Sequence, residues 1–223
     1  HVLTAEEANY LQRLASQSPL QIPLLIGIDA IHGNAQVAGC TVYPTSIGQA
    51  STFDPELVER ICEETAAEMR ATGSQWTFNP NVEVARDPRW GRVGETFGED
   101  PYLVSVMGAA SVRGYQGRDF SEPGRVLSCV KHFVGGSQPV NGTNGSPTDL
   151  SERTIREIFF PPFKAGIDAG AYSMMTAHNE LNGIPCHSNR WLMEDVVRGE
   201  WGFEGFIVSD WMDVEHIHDL HRT

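Results

Sequence analysis

The chain has 223 residues, enough for one sizeable domain, and its 16 Lys+Arg against 29 Asp+Glu give a formal net charge of −13. That balance argues against nucleic acid, whose binding rests on clustered cations, and equally against an anionic membrane surface. No apolar run approaches the roughly 20 residues of a spanning helix, and His1-Val2-Leu3-Thr4 does not read as a signal peptide.

In chain order, Thr4 with Glu7 forms a capping-box pair that opens a helix with Leu11 and Leu14 on its apolar side. Residues 22–28 are continuously apolar, a buried-strand pattern that stops at Asp29, with His32-Gly33 opening a loop. Asp54-Pro55 then reads as an N-cap with proline in the first turn, Leu57, Ile61, Thr65 and Met69 recur every four residues, and Gly73 supplies a stop. Residues 75–78 make the next strand, followed by a long polar loop over 79–99. A helix starts at Asp100-Pro101 and ends near Gly114.

Residues 126–130 form a third strand running into Lys131-His132-Phe133, after which 135–148 is a Gly/Asn/Ser/Pro-rich loop. Ser151 caps a helix that Pro161-Pro162 is expected to interrupt, since neither residue donates a backbone hydrogen bond. Residues 172–177 are a fourth strand leading to His178-Asn179. Asn189 caps a helix ended by Gly202, and 205–209 are a fifth strand stopping at Asp210-Trp211. Apolar strands alternating with helices predict an α/β fold with a parallel sheet covered on both faces, either an open doubly wound sheet or a (β/α)8 barrel. No GxGxxG follows a strand, which weakens the dinucleotide-binding version of the open sheet.

The informative feature is where the polar residues fall. Asp29 and His32, Asn79, Lys131 and His132, His178 and Asn179, and Asp210 each follow a strand, whereas the preceding strand ends carry Gln21, Gly73, Arg125, Ala171 and Gly205. In a parallel barrel the C-terminal strand ends share one rim, where such folds keep their chemistry. Taken singly, Asp210 reads equally as a helix cap and Asp29 as an Asx turn. Arg86, Arg89 and Arg92 read as a solvated loop, Trp90 as a packing anchor and His216-Ile217-His218 as helix surface. Carboxylates, amides and cations beside an indole suit a neutral, polyhydroxylated ligand. A phosphate substrate calls for more cation, and no HxH, HxxxD or HExxH spacing falls at a strand end, so neither a metal nor a cofactor is implied. Cys40, Cys62, Cys129 and Cys186 are spread singly and read as free thiols, with disulfides the alternative.

Five blocks in order make the chain recognisable. Gly27-Ile28-Asp29-Ala30-Ile31-His32-Gly33, Asp87-Pro88-Arg89-Trp90-Gly91-Arg92 with Glu95, Lys131-His132-Phe133, Asn179-x-x-Asn182-Gly183-x-Pro185 and Val208-Ser209-Asp210-Trp211 resemble glycoside hydrolase family 3 across almost the whole chain. The resemblance implies residues 1–223 of a (β/α)8 barrel domain that lacks strands one and eight, with a downstream α/β sandwich domain outside the chain. It implies a retaining β-glycosidase, usually a β-glucosidase, with a β-linked glucoside or oligosaccharide as substrate. Asp210 then matches the nucleophile, and Asp29, Arg92, Lys131 and His132 match residues holding the sugar hydroxyls, with Trp211 beside them. His178 stands where the family usually has Tyr, a residue that orients the nucleophile. Lys131 and Arg92 are expected to keep Asp210 ionised. The loop over 134–150 has no His to act as acid/base, so that group is expected from the following domain, and the segment alone is expected to be inactive. The family is commonly exported, which points to a periplasmic or secreted enzyme. Competing readings are a non-catalytic sugar-binding barrel and an aldolase-like enzyme with a Schiff base on Lys131.

Overall fold

Five strands among the described residues run parallel and adjoin one another in chain order. They are β1 (Gly27–Ile28), β2 (Trp76–Thr77), β3 (Cys129–Phe133), β4 (Ser173–Thr176) and, last in sequence, β7 (Phe206–Val208). The register pairs Gly27 with Trp76, Cys129 with Ser173, and Ser173 with Phe206; single bridges Trp76–Leu127 and Asn81–Lys131 join β2 to β3. The structure is a computed structural model that describes residues 4–118 and 122–219; His1–Leu3, read above as part of the N-terminus, lie outside the described residues.

The helices α1 (Ala5–Ser16), α2 (Ser46–Ala50), α3 (Pro55–Thr72), α4 (Pro101–Gln116), α5 (Glu152–Thr154) and α6 (Phe160–Asp168) alternate with these strands. A hairpin, β5 (Glu180–Leu181) with β6 (Ile184–Pro185), a helical segment Trp191–Glu200 and α7 (Asp213–Asp219) complete the chain. The expected caps form: Thr4 and Glu7 bond each other's backbone, Asp54 accepts from Leu57 N–H, Asp100 from Leu103 N–H, and Asn189 from Leu192 N–H. Gly73 ends α3 with φ 99°, a left-handed value that glycine adopts without a Cβ clash. Gly114 lets α3 and α4 meet, since a Cβ there would lie 2.3 Å from Glu59 O.

Four expectations need correction. Of the apolar run 22–28 only Gly27–Ile28 is strand, and Ile22, Leu24 and Leu25 are exposed, because among the described residues no neighbouring strand pairs with 22–25. Leu14 of α1 is also exposed, and Ala8 is the residue of that helix that is buried. Pro161-Pro162 do not break their helix. The turns Ile155–Phe159 widen to π geometry and the prolines fall in the first turn of α6, where a missing N–H costs little. The third strand begins at Cys129 rather than Val126, so Lys131 and His132 lie inside it.

The sheet curls. Flat, it would hold β2 and β7 about 14 Å apart across two intervening strands. Instead the Trp76 ring meets the Phe206 ring at 5.2 Å, and its Nε1–H donates to Ser173 Oγ at 2.8 Å. On the outer face Phe133 contacts Phe160, Phe163 and Trp201 at centroid distances of 5.0–5.5 Å. Such edge-on and offset pairs add about 0.5–1.5 kcal/mol each beyond burial, and they anchor β3 just beyond Lys131 and His132.

Candidate active site

Every residue expected at the site lines one cavity of about 580 Å³: Asp29, Arg92, Lys131, His132, His178, Asp210 and Trp211, with Phe78, Met175 and Val208 supplying apolar wall. Neighbouring side chains of a strand normally point to opposite faces. Lys131 and His132 both reach this cavity because the pairing of β3 with β4 shifts register between Val130 and Phe133, a local irregularity that re-aims side chains.

Lys131 Nζ donates to Asp29 Oδ1 at 2.8 Å, so Asp29 is an ion-pair partner and not an Asx turn. Arg92 reaches in from the loop after β2, forks onto Glu95 with bonds of 3.0 and 2.9 Å, and donates from Nη2 to His132 Nε2 at 3.1 Å. Arg89, by contrast, pairs with Asp87 in solvent. Trp90 is buried, its indole N–H donating to Asn144 Oδ1 at 2.8 Å.

Asp210 Oδ1 accepts the Trp211 N–H at 2.7 Å, so its side chain does not cap α7. Its Oδ2 is buried, 2.9 Å from His178 Nε2 and 3.5 Å from His132 Nε2, without a donor in line. Burial alone would push the Asp210 carboxyl up, but the close ion-pair contact of His178, with the charges on His132 and His178, outweighs it and holds Asp210 well below the usual carboxylate range. The ionising influence is therefore chiefly histidine, not Lys131, whose ammonium is taken by Asp29.

The two imidazoles differ. His132 Nε2 takes a bond from Arg92, so its proton sits on Nδ1 and is donated to Glu83 Oε2 at 2.8 Å. Burial, with the charges of Lys131 and Arg92, drives His132 well below its ordinary value. Burial likewise pushes Glu83 up to about 8 against the pull of Arg92. His178 bonds Asp213 Oδ1 through Nδ1 at 2.8 Å and faces Asp210 through Nε2. The hydrogen bonds to these two carboxylates raise it to about 9, with burial opposing.

Sequence reading missed four residues. Glu83 is buried between Val82 and Val84, and a lone carboxylate in an apolar run was its signal. Asp213 lies one turn beyond Asp210. His187 accepts the Asp210 N–H at 3.3 Å and lies 3.3 Å from Asp213 Oδ2. His216, read as helix surface, bonds Asp213 Oδ1 at 3.1 Å, while His218 is exposed as expected. His178, Asp210 and Asp213 bring one ligand atom each within 4.8 Å of one another. Yet a different nitrogen of His178 faces each carboxylate, the arrangement of a shared imidazolium and not of ligands converging on an ion. Three strand-end residues serve the frame: His32 bonds Tyr43 O, Asn79 takes Tyr115, and Asn179 holds backbone carbonyls.

A larger cavity of about 810 Å³ lies where residues precede β3 and β4, lined by Arg113, Arg125, Glu59 and Glu63 among others. The sequence pattern indicated no such cluster there. It is built largely from helix ends, and Arg113 pairs with Glu59, Arg125 with Glu63 and Glu122, so its charges are matched locally.

The profile of the glycosyl hydrolase family 3 N-terminal domain matches residues 2–223. The chain belongs to glycosyl hydrolase family 3. Among its relatives, a β-xylosidase of Formosa agariphila is 44% identical over 223 residues, covering 96% of this chain and 31% of that protein. A periplasmic β-glucosidase of Salmonella typhimurium is 39% identical over 211 residues, covering 94% and 27% respectively. The solved β-glucosidase of Listeria innocua in complex with glucose superposes with a TM-score of 0.94 at 38% identity, over 99% of this chain and 30% of that one. The family 3 chain thus spans about a third of the length of the relatives it matches. Among the described residues no helix is long and apolar enough to cross a membrane.

Proposed function

We propose that this family 3 chain carries the nucleophile and glycone-binding half of a retaining β-glycosidase acting on terminal, non-reducing β-linked residues, most simply β-D-glucosides. The observation that carries the reading is the gathering of all seven expected residues round one cavity, with an ionised, histidine-flanked Asp210 at its wall. A retaining mechanism asks for such a carboxylate beside the anomeric carbon. An oxygen of Asp210 forms a bond to C1 as the bond from C1 to the leaving oxygen breaks, and that oxygen takes a proton from a separate acid. Water then attacks C1, gives a proton back to the same group and frees Asp210. Lys131, Asp29, Arg92 and His132 hold the hydroxyls, and bonds that tighten as the ring flattens favour the transition state over bound substrate.

Among the described residues the cavity wall carries two carboxylates, Asp29 and Asp210; the first is bound to Lys131, and Glu83 is buried behind His132. The acid/base therefore belongs to a further domain of a longer protein, in keeping with relatives about three times as long. In that protein residues 1–223 form most of a (β/α)8 barrel, a reading supported by the curl of the parallel sheet and the placement of the site at its C-terminal strand ends. The segment alone is then inactive on p-nitrophenyl β-glucoside. A periplasmic or secreted location fits the periplasmic relative. The ion pair of the Lys131 ammonium with Asp29 speaks against a Schiff base. The test is labelling of the intact enzyme with a 2-deoxy-2-fluoro-β-glucoside followed by peptide mapping. The adduct is expected on Asp210; an adduct on another residue, or inverted product, overturns the mechanism, and binding without cleavage makes the barrel a sugar-binding module.

A further inference from the structure

Asp213 has no place in the reading above, yet it is the most heavily engaged carboxylate near the cavity. It is 3% exposed, lies in the first turn of α7, and accepts on Oδ1 from both His178 Nδ1 at 2.8 Å and His216 Nδ1 at 3.1 Å. His187 lies 3.3 Å from its other oxygen, and the His187 Nε2 also accepts the backbone N–H of Asp210. Asp210 and Asp213 are thus brought together on the two nitrogens of His178, with the His187 ring lying beside both.

A neutral imidazole carries one N–H and one lone pair. Set between Asp210 and Asp213, a neutral His178 must turn its lone pair towards one of two carboxylates about 2.8–2.9 Å away. The imidazolium alone offers an N–H to both. Asp213 therefore decides what Asp210 meets: with it, a cation that draws Oδ2 into place; without it, a ring free to present either face.

We propose that Asp213 is a positioning residue for the nucleophile, holding His178 as the doubly donating imidazolium that orients Asp210. The proposal rests on Asp210 being the nucleophile. The groups facing this pair are Asp210 from the turn after β7, His132 from β3, His187 from the turn after β6 and His216 from α7, with Arg92 behind His132. None of these supplies a second carboxylate to His178 once Asp213 is removed. His178 keeps its proton below about 9 and loses it as the pH rises through that value, and with it the ion pair to Asp210.

The test is the rate at which 2,4-dinitrophenyl 2-deoxy-2-fluoro-β-glucoside inactivates the intact enzyme, followed through neutral and alkaline pH. Its leaving group departs without a proton, so the acid/base does not shape the profile. Wild type is expected to fall off near pH 9. Asp213→Asn keeps the shape and loses the charge, and its fall is expected about one pH unit earlier, the scale of one neighbouring charge. In His178→Tyr, where a phenol replaces the ring, adding Asp213→Asn is expected to leave the profile unmoved. An unshifted limb in Asp213→Asn, or a shift that persists in the His178→Tyr background, overturns the proposal. Should Asp213→Asn fail to fold, 15N NMR of the wild-type His178 ring decides it: both nitrogens protonated at neutral pH supports it, a neutral ring there overturns it. An adduct away from Asp210 sinks the proposed function; an adduct on Asp210 with an unmoved limb sinks this inference alone.

Discussion

Two imidazoles approach the same oxygen of Asp210, each backed by a carboxyl group, and they end in opposite charge states. His132 is buried on β3, takes an N–H from Arg92 on the side facing Asp210, and leans on Glu83, which is itself too desolvated to ionise readily. His178 is part-exposed on the turn after β4 and leans on Asp213, whose charge is stabilised by bonds from His178 and His216 against the cost of burial. A carboxyl behind a histidine is thus not enough to make a cation. Donors on the carboxyl differ: Asp213 Oδ1 accepts from two rings, whereas Glu83 Oε2 meets one, and among the described residues the second oxygen of each lacks a hydrogen-bond partner. One side of Asp210 then offers a fixed neutral ring, and the other a movable positive charge.

The sharpest break of this contrast removes its common target. Asp210→Ala in the intact enzyme is expected to cut hydrolysis of an aryl β-glucoside by about 10⁴-fold or more, the scale of losing a nucleophile. It should also lower the His178 titration, read by NMR, while leaving His132 neutral, since His132 owes its state to burial first. A variant that keeps turnover within tenfold of wild type (about 1.4 kcal/mol of barrel-site contribution at most) refutes the central role of Asp210.

The contrast was only half legible in the sequence. The five apolar strands, the caps at Thr4, Asp54, Asp100 and Asn189, and the cavity residues Asp29, Lys131, His132, His178 and Asp210 could be read because each rests on a local pattern: apolar runs, cap-plus-proline pairs, and polar residues just after strands, whereas Arg92 and Trp211 were reached through the family resemblance. Glu83 and Asp213 were not, because their roles depend on contacts with residues 49 and 35 positions away, His132 and His178. Ile22, Leu24 and Leu25 misled for the same reason in reverse. Hydropathy names residues that suit a core, but neighbouring strands decide whether one forms around them.

A middle-sized effect separates the two backing carboxyls. Glu83→Leu leaves the His132 Nδ1–H without an acceptor and is expected to lower kcat/KM about 100-fold, the cost of a misplaced contact. Glu83→Gln, which resembles the protonated acid present below about 8, should stay near wild type at neutral pH and diverge only as the pH rises past that value. Asp213→Asn should already differ below the wild-type limb. An alkaline limb displaced equally by the two amide replacements removes the distinction drawn between them. Gly136 offers an independent probe of the same side, because a Cβ there would lie 3.0 Å from Glu83 Oε1 and 3.1 Å from Asn179 Oδ1. Gly136→Ala should therefore perturb the His132 ring signals and leave those of His178 in place.

The smallest effect belongs to the cavity mouth. Trp211 is 83% exposed although its N–H holds Asp210 Oδ1, and the following Met212 has φ 60°, a left-handed turn that swings the chain away after Asp210. The bond to Asp210 is made by the backbone, so Trp211→Ala keeps it and removes only the indole face. The expected outcome is a rise in KM of about tenfold, the worth of one aromatic contact, with kcat and the alkaline limb unchanged. A fall in kcat instead, with KM constant, would mean that the ring takes part in placing Asp210 and that the two histidines do not share that task alone.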